Sequence, residues 1–345
     1  MLWVPRRLPL AAAVALSFLL NAAFAGSAYA HVKWFCAFDV AGAPQSLGNV
    51  LCPDFEFLVG LSIIWLTAGS AVEWSMLGPD ILRALDRATR LVRDNTELMI
   101  RVGCGFFFVA IWSVGGVLLT PELKTSSTTV GVIQLGIAAG MVSRRTMPLS
   151  ALGIAVIFAI AVWQYGVFHL ADYPVFLGVA AYLALTGLQR DLFGVRPLDL
   201  ARWSAGATLM WASVEKWAYP QWSFPLLVEY PGMTLGFDPE FFMRAAGAVE
   251  FVLAFALIWT PLVRRVAAIL LSGMFISAIF QFGKIDVIGH SLIIVVLLVV
   301  IADNGGKTAL ARYPLLAPVG YTAALAGFLA VYYVGHALLF GTSIA

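Results

Sequence analysis

The chain has 345 residues, of which 61% are hydrophobic and 12% are charged, and its formal net charge is +2. Soluble domains carry roughly a quarter charged residues, so this composition excludes a soluble globular protein. The net charge says nothing about partners, and since the sequence contains no basic stripe or nucleic-acid motif, a nucleic-acid partner is not expected. The expected surroundings are a lipid bilayer, because apolar stretches of about twenty residues predict an all-α, polytopic bundle of transmembrane helices.

The first thirty residues have the parts of a secretory signal peptide. Arg6 and Arg7 precede an apolar run over 8–25, and an Ala-Tyr-Ala sequence ends directly before His31. A basic start, an apolar middle and a small-residue cleavage site are typical of such leaders. Because the apolar run is slightly long, an uncleaved anchor over 1–30 is the alternative.

Residues 31–55 form a predicted outer segment. It contains Cys36 and Cys52, and because the space outside a cell membrane is oxidising, we predict a disulfide between them. A redox-active or metal-binding cysteine pair is the alternative. The cationic and aromatic residues 33–35 are interpreted as an anchor on the membrane surface.

About ten spans are predicted after this segment. The first span and an inner amphipathic connector occupy 56–97, two four-helix units cover 98–190 and 200–302, and a final span lies in 315–345. The individual apolar stretches are 56–77, 98–119, 129–146, 147–170, 173–189, 201–219, 241–262, 266–283, 285–302 and 315–340.

Basic residues predict the orientation of these spans. With residue 31 outside, the inside gaps hold most of the Lys and Arg residues, including the pairs Arg144-Arg145 and Arg264-Arg265. Lys and Arg accumulate in short cytoplasmic loops. The expected location is therefore the cell (inner) membrane, with 31–55 on the extracytoplasmic side. Interleaved arginines and apolar residues over 79–98 are typical of a helix on the inner membrane surface, but a solvated connector held by anionic lipid is the preferred interpretation, and no chemistry is assigned to this segment.

The two four-helix units share three markers in the same order. They begin at Arg101 and Arg202, each carries a basic pair at an inner turn, and each third helix ends in an aromatic-Gln-aromatic-Gly sequence, at 163–166 and 280–283. We interpret them as tandem repeats in parallel orientation, an arrangement that often places a site at the repeat interface. Chance similarity between apolar helices is the alternative.

Ionisable residues gather near the predicted outer ends of the spans. Glu250 and His290 lie deepest, and Glu215, Lys216 and Asp286 lie close to span ends. Lone ionisable residues inside a span are costly and usually face a partner or a wet cavity. They predict a polar pocket that opens outward, with a Glu250–Lys216 ion pair across adjacent helices.

His31 predicts a metal site if cleavage makes it the first residue. Its α-amino group and imidazole then offer two nitrogen ligands to one ion, which suits Cu(II). The other outer histidines are candidates to complete the site, and the expected metal-binding set is His31, His169 and His336. Simple hydration at the membrane interface is the alternative for His169 and His336.

Short motifs in the second unit carry a family resemblance. They consist of Arg202, Gly206, Glu215, Lys216, Trp217, Arg244, Gly247, Glu250, Arg264 and Arg265. In this order they resemble the DoxX/DoxD-like integral membrane proteins over about 200–302. The first unit is a more degenerate copy, with Gln134 near the position of Glu250. Ser213 departs from the family pattern, because a glycine often precedes the lysine there.

The resemblance implies membrane redox chemistry. Some relatives form the membrane part of a thiosulfate:quinone oxidoreductase, and others assist sulfur or oxidative-stress homeostasis with partner proteins. We therefore expect a protein that passes electrons from an outer-face, sulfur-type donor to quinone, together with a soluble or membrane redox partner. No motif for flavin, haem or iron–sulfur binding occurs in the sequence.

A quinone site needs an apolar slot with a polar end. Glu250 and His290 are expected to move protons, and Lys216 is expected to polarise a quinone oxygen. The expected cofactor-binding residues beside them are Glu215, Gln281 and Asp286. Two other functions stay open, namely a copper-handling membrane protein and a non-catalytic scaffold that recruits partners at the outer face.

Overall fold

The computed structural model describes residues 32–305 and 313–343, so the predicted leader over 1–30 and His31 lie outside the described residues. Within those ranges the chain is all-helical, as predicted, and contains no β-strand. The longer helices are α1 (Pro53–Trp74), α2 (Gly78–Ala88), α3 (Thr96–Val114), α4 (Thr128–Gly140), α5 (Met147–Tyr165), α6 (Pro174–Leu188), α7 (Pro197–Ala218), α8 (Pro239–Leu257), α9 (Pro261–Phe282), α10 (Lys284–Ala302) and α11 (Leu316–Phe340). The shorter helical segments are Val32–Trp34, Leu47–Val50, Arg90–Asp94, Arg144–Thr146, Val167–Leu170, Pro220–Trp222, Phe224–Glu229 and Pro231–Thr234.

Six helices in the described chain have the length and composition to cross a membrane. They are α1, α3, α5, α9, α10 and α11. The other four predicted spans fall on α4 and α6, which are apolar but have only 13 and 15 residues, and on α7 and α8, which are longer but more polar. The membrane character of the bundle therefore follows from its helices, and the larger number of about ten spans stays a prediction.

Glycine conformations explain why some helices end earlier than their apolar stretches. α3 stops at Val114 because Gly115 and Gly116 have φ angles of 71° and 64°. The two aromatic-Gln-aromatic-Gly sequences end α5 and α9 in the same way, at Gly166 and Gly283, whose φ angles are 84° and 69°. Glycine enters this region without the steric cost that a Cβ brings. The marker shared by the two units is therefore a helix stop.

Close contact between α7 and α8 depends on two motif glycines. A Cβ at Gly206 would lie 3.0 Å from the carbonyl oxygen of Ala254, and a Cβ at Gly247 would overlap the indole Nε1 of Trp217. That Nε1 donates a hydrogen bond to the carbonyl of Arg244 at 3.1 Å. The Gly247 position thus admits a large aromatic side chain between the two helices.

Replacing Gly247 by alanine is expected to destabilise the protein by about 1–3 kcal/mol, because the added methyl group forces the packed indole to move. Gly136→Ala in α4 is the matched control, since a Cβ there meets no atom within 4 Å and alanine is the better helix former. Thermal unfolding in detergent measures both changes. Equal midpoints for the two variants would contradict the packing role of Gly247.

Charged residues lock the inner end of the bundle, which we define as the end where α7 begins. Asp303 accepts two hydrogen bonds from Arg196, at 2.9 and 3.0 Å, and pairs with Arg264 at 3.3 Å. Burial tends to raise the pKa of Asp303, but the Arg196 hydrogen bonds hold it below its ordinary value. Arg265 pairs with Asp86 at 2.6 Å and ties α2 to α9. The basic pair expected at an inner loop is instead buried within α9.

Candidate functional site

Residues 32–52 lie across the other end of the bundle, where α7 finishes, and we call this the outer end. The backbone N–H of Gln45 donates to the carbonyl of Ala218 at 2.9 Å, and its side-chain amide donates to that of Trp217 at 2.8 Å. The hydroxyl of Tyr333 on α11 donates to the carbonyl of Gln45 at 2.9 Å. The segment is therefore fixed to two helices that are distant in the sequence.

A buried cation holds the start of this segment. Lys33 Nζ lies 2.8 Å from Glu215 Oε1 and 3.2 Å from Asp172 Oδ2, and its side chain is 1% exposed. The ring centroids of Phe38 and Trp222 are each 5.8 Å from the same nitrogen. Burial tends to lower the pKa of Lys33, but the two carboxylates outweigh it and raise this pKa above its ordinary value. Lys33 is thus a charged bridge and not the surface anchor that was predicted.

The predicted ion pair between α7 and α8 is present. Lys216 Nζ lies 2.5 Å from Glu250 Oε2, and the two side chains are 12% and 7% exposed. A charge in such an apolar setting is tolerated when its partner and hydrogen bonds offset the desolvation. Glu215, although it directly precedes Lys216 in the sequence, pairs with Lys33.

His290 lies between two aromatic rings near the start of α10. The ring centroids of Trp34 and Phe275 are both 4.6 Å from the imidazole. A Cβ at Gly289 would overlap the Trp34 indole, so the indole approaches α10 this closely only because residue 289 is glycine. Asp286, one turn earlier, has Oδ2 3.2 Å from His290 Nδ1.

One cavity joins the three residues predicted to be catalytic. Lys216, Glu250 and His290 line it together, and Trp34 and Tyr173 contribute aromatic walls. The space open to the centres of water molecules is ≈ 40 Å³, which is enough for a few waters. Side chains from α6 to α10 meet here, so the cavity lies where the two predicted four-helix units adjoin.

The predicted cofactor-binding residues do not gather at this cavity. Asp286 contacts His290 on the Nδ1 side, and Glu215 forms an ion pair with Lys33. Gln281 is exposed near the end of α9. Gln281 belongs to the aromatic-Gln-aromatic-Gly sequence that ends α9, and it lies outside the packed interior.

The predicted copper ligands are not assembled in the part of the chain that is described, and His31 lies outside it. Among the described residues no three His, Cys, Asp or Glu side chains are placed to hold a metal ion. Both nitrogens of His336 have protein partners: Nε2 lies 2.9 Å from the carbonyl of Val40, and Nδ1 lies 2.7 Å from Thr342 Oγ1. The ring of His169 packs edge-on against Phe38.

The predicted disulfide is not formed, since Cys36 and Cys52 are both free thiols. Cys36 lies beside the Phe224–Glu229 helix, where burial and the Glu229 carboxylate raise the pKa of its thiol. Cys52 precedes the first residue of α1. The two thiols therefore have different surroundings, and hydrogen bonds from α7 and α11 fix the segment in place of a disulfide.

Three site residues were missed or misjudged from the sequence. Lys33 and Trp34 were interpreted as surface residues, and Asp172 was not considered, although it stands alone between two apolar stretches. An isolated acid at such a junction is a usable signal, whereas nothing local to Trp34 indicates its partner on α10. Comparison with protein-family models, with curated proteins and with solved structures gives no match.

Proposed function

We propose that this chain is a DoxX-like membrane redox protein that passes electrons from a sulfur-type donor at the outer end to quinone. The observation that carries the proposal is the cavity shared by Lys216, Glu250 and His290. A quinone headgroup needs groups that polarise its oxygens and groups that deliver protons, and this cavity offers one cation with two proton-carrying side chains.

The proposed reaction is the reduction of a quinone by two electrons and two protons. Two sulfur-donor anions of the thiosulfate class join through a new S–S bond and release two electrons. The quinone takes up these electrons, and each of its oxygens gains a proton. Lys216 stabilises the negative charge that develops on one oxygen, while Glu250 and His290 take up protons from water and pass them to the quinone oxygens.

The Trp34 indole supports the shape of the proposed site. This planar ring lies against Gly289 and 4.6 Å from the His290 ring, so the space beside α10 accepts a flat aromatic group. With the indole in place, only water-sized space remains. We therefore assign Trp34 as the occupant that a quinone ring displaces, which brings the quinone ring beside the His290 imidazole, with Phe275 on the other side of that imidazole.

The repeat and the orientation belong to the same proposal, and two matching contacts support them. Arg101 Nε donates to the carbonyl of Met141 after α4, at 2.7 Å, and Arg202 Nη1 donates to that of Leu257 at the end of α8, at 2.5 Å. Two parallel four-helix units, together with α1 and α11, give about ten spans in the inner membrane. The outer end is then extracytoplasmic, and the cavity lies at the repeat interface.

Quinone binding and reduction test the proposal on the full chain in lipid nanodiscs. Wild-type protein is expected to bind a short-chain benzoquinone and to form quinol when thiosulfate is added. Trp34→Ala is expected to lower the Kd for the quinone about tenfold, because it removes a group that competes for the slot. Trp163→Ala is the matched control, since that indole is 85% exposed.

Several outcomes would overturn the proposal. Wild-type protein that neither binds nor reduces the quinone has no quinone site at this cavity. Unchanged assembly with partners in Glu250→Gln and His290→Gln, but loss of assembly without 32–52, would favour a scaffold. About one equivalent of copper that is lost in His31→Ala would favour copper handling.

A further inference from the structure

His290 lies beside a buried carboxylate, that of Asp286, one helical turn earlier in α10. Its Nδ1 lies 3.2 Å from Asp286 Oδ2, and the Asp286 side chain is 0% exposed. Neither oxygen of Asp286 accepts a hydrogen bond within residues 32–305 and 313–343. Burying an isolated carboxylate is costly, and the imidazole of His290 is the group placed to offset that cost. The two atoms lie within ion-pair distance, although the ring orientation does not meet hydrogen-bond geometry.

The geometry distinguishes the two nitrogens of His290. Nδ1 is enclosed and faces Asp286, whereas His290 also lines the cavity. Because the imidazole is held between Trp34 and Phe275, it cannot rotate freely to exchange the roles of its nitrogens. Nε2 is therefore the nitrogen available to a group in the cavity.

We propose that Asp286 is a positioning residue that keeps His290 in the Nδ1–H form, with Nε2 as the proton-exchanging atom of the cavity. The inference rests on the proposed function only in the identity of the acceptor. Nε2 first takes up a proton from water; when quinone is reduced, this Nε2–H bond breaks, an O–H bond forms on the quinone, and His290 returns to the Nδ1–H form. The electrons come from the sulfur-type donor, and Glu250 supplies the second proton.

Charged and titratable groups around the pair are consistent with this role. Lys216, Glu250 and Tyr173 share the cavity with His290, and Lys284 at the start of α10 is exposed. A purely structural alternative exists, because a carboxylate in the first turn of a helix is stabilised by the helix dipole. That alternative does not require His290 to have one tautomer, and the two roles can be separated by experiment.

Nitrogen NMR of protein labelled with ¹⁵N-histidine, without quinone, tests the positioning role. The His290 signal, assigned through His290→Gln, is expected to show a protonated Nδ1 and an unprotonated Nε2. Asp286→Asn is expected to mix the tautomers or reverse them, and Asp286→Glu to restore the wild-type pattern. Lys284→Gln is the matched control on the same helix, and the His336 signal is an internal reference. An identical His290 pattern in wild type and Asp286→Asn would overturn the proposal.

The rate of quinol formation tests whether the His290–Asp286 pair takes part in the proposed reaction. Asp286→Asn is expected to lower kcat about 10- to 100-fold, the usual loss for a partner that orients a functional histidine, with KM for quinone nearly unchanged. A rise in KM alone would overturn the positioning role. If the tautomer shifts as expected but wild-type protein reduces no quinone, the His290–Asp286 pair stands and the quinone function fails.

Discussion

Glu250→Gln is expected to destabilise the protein by about 3–5 kcal/mol and to abolish quinone reduction. The substitution keeps the shape of the side chain but leaves the buried Lys216 ammonium without its counter-charge, 2.5 Å away in the native protein. Removing one partner of a buried pair costs far more than the pair itself contributes, because the remaining charge is desolvated without compensation. Thermal unfolding in detergent and quinol formation in nanodiscs measure the two effects separately.

The double variant Lys216→Met with Glu250→Leu separates stability from chemistry. With both charges replaced by apolar groups of similar volume, stability is expected to return close to the wild-type value, while activity stays absent. Glu240→Gln on the same helix is the matched control, because its carboxylate is 46% exposed and such surface pairs contribute about 0–1 kcal/mol. Full activity of the double variant would show that neither charge takes part in the reaction.

The helices and the catalytic candidates were predictable because each leaves a local signal. Long apolar stretches correspond to helices throughout the described chain. Lys216, Glu250 and His290 stand out as ionisable residues in apolar surroundings, and the principle that such residues seek partners correctly anticipated the Lys216–Glu250 pair. Their meeting in one cavity depends on helix order and packing, which single stretches do not specify.

Partners of the outer segment were not predictable because they are remote in the sequence. Lys33 bonds carboxylates 139 and 182 residues away. A lysine beside two aromatic residues has the same local pattern as a membrane-interface anchor, so local pattern alone favours the wrong location. Cys36 and Cys52 show the same limit, since the predicted extracytoplasmic location of 31–55 favours a disulfide, whereas both thiols are free in the fold.

The sequence placed both basic pairs at exposed inner turns because of their charge, and for the second pair this location was wrong. Arg144 and Arg264 begin the basic pairs that were matched between the two predicted units, yet Arg144 is exposed and Arg264 is only 2% exposed. The difference arises from Asp303, which pairs with Arg264 at 3.3 Å. Charge density in the sequence indicates the inner end of the bundle, but only the fold shows which arginines have buried partners.

Lys33→Met is expected to release residues 32–52 from the outer end of the bundle. The substitution leaves Asp172 and Glu215 buried without the ammonium that both contact at 3.2 and 2.8 Å, an imbalance that costs about 3–5 kcal/mol. Because Gln45 fastens the segment further along, we expect local release and not global unfolding. Hydrogen exchange of 32–52 is expected to become faster, while that of α9 and α10 changes little.

Two further variants make the origin of this effect testable. Adding Asp172→Asn to Lys33→Met removes one stranded charge and is expected to recover part of the protection, whereas Lys124→Met at an exposed position is expected to change nothing. The raised pKa of Lys33 means that its contribution is complete below the unfolded value of about 10.4 and is lost only as pH rises through the folded value. Its share of the protection is therefore expected to stay constant from about pH 6 to 9. If residues 32–52 exchange their amide hydrogens as slowly in Lys33→Met as in the wild type, the hydrogen bonds of Gln45 and Tyr333 hold the segment without the buried charge.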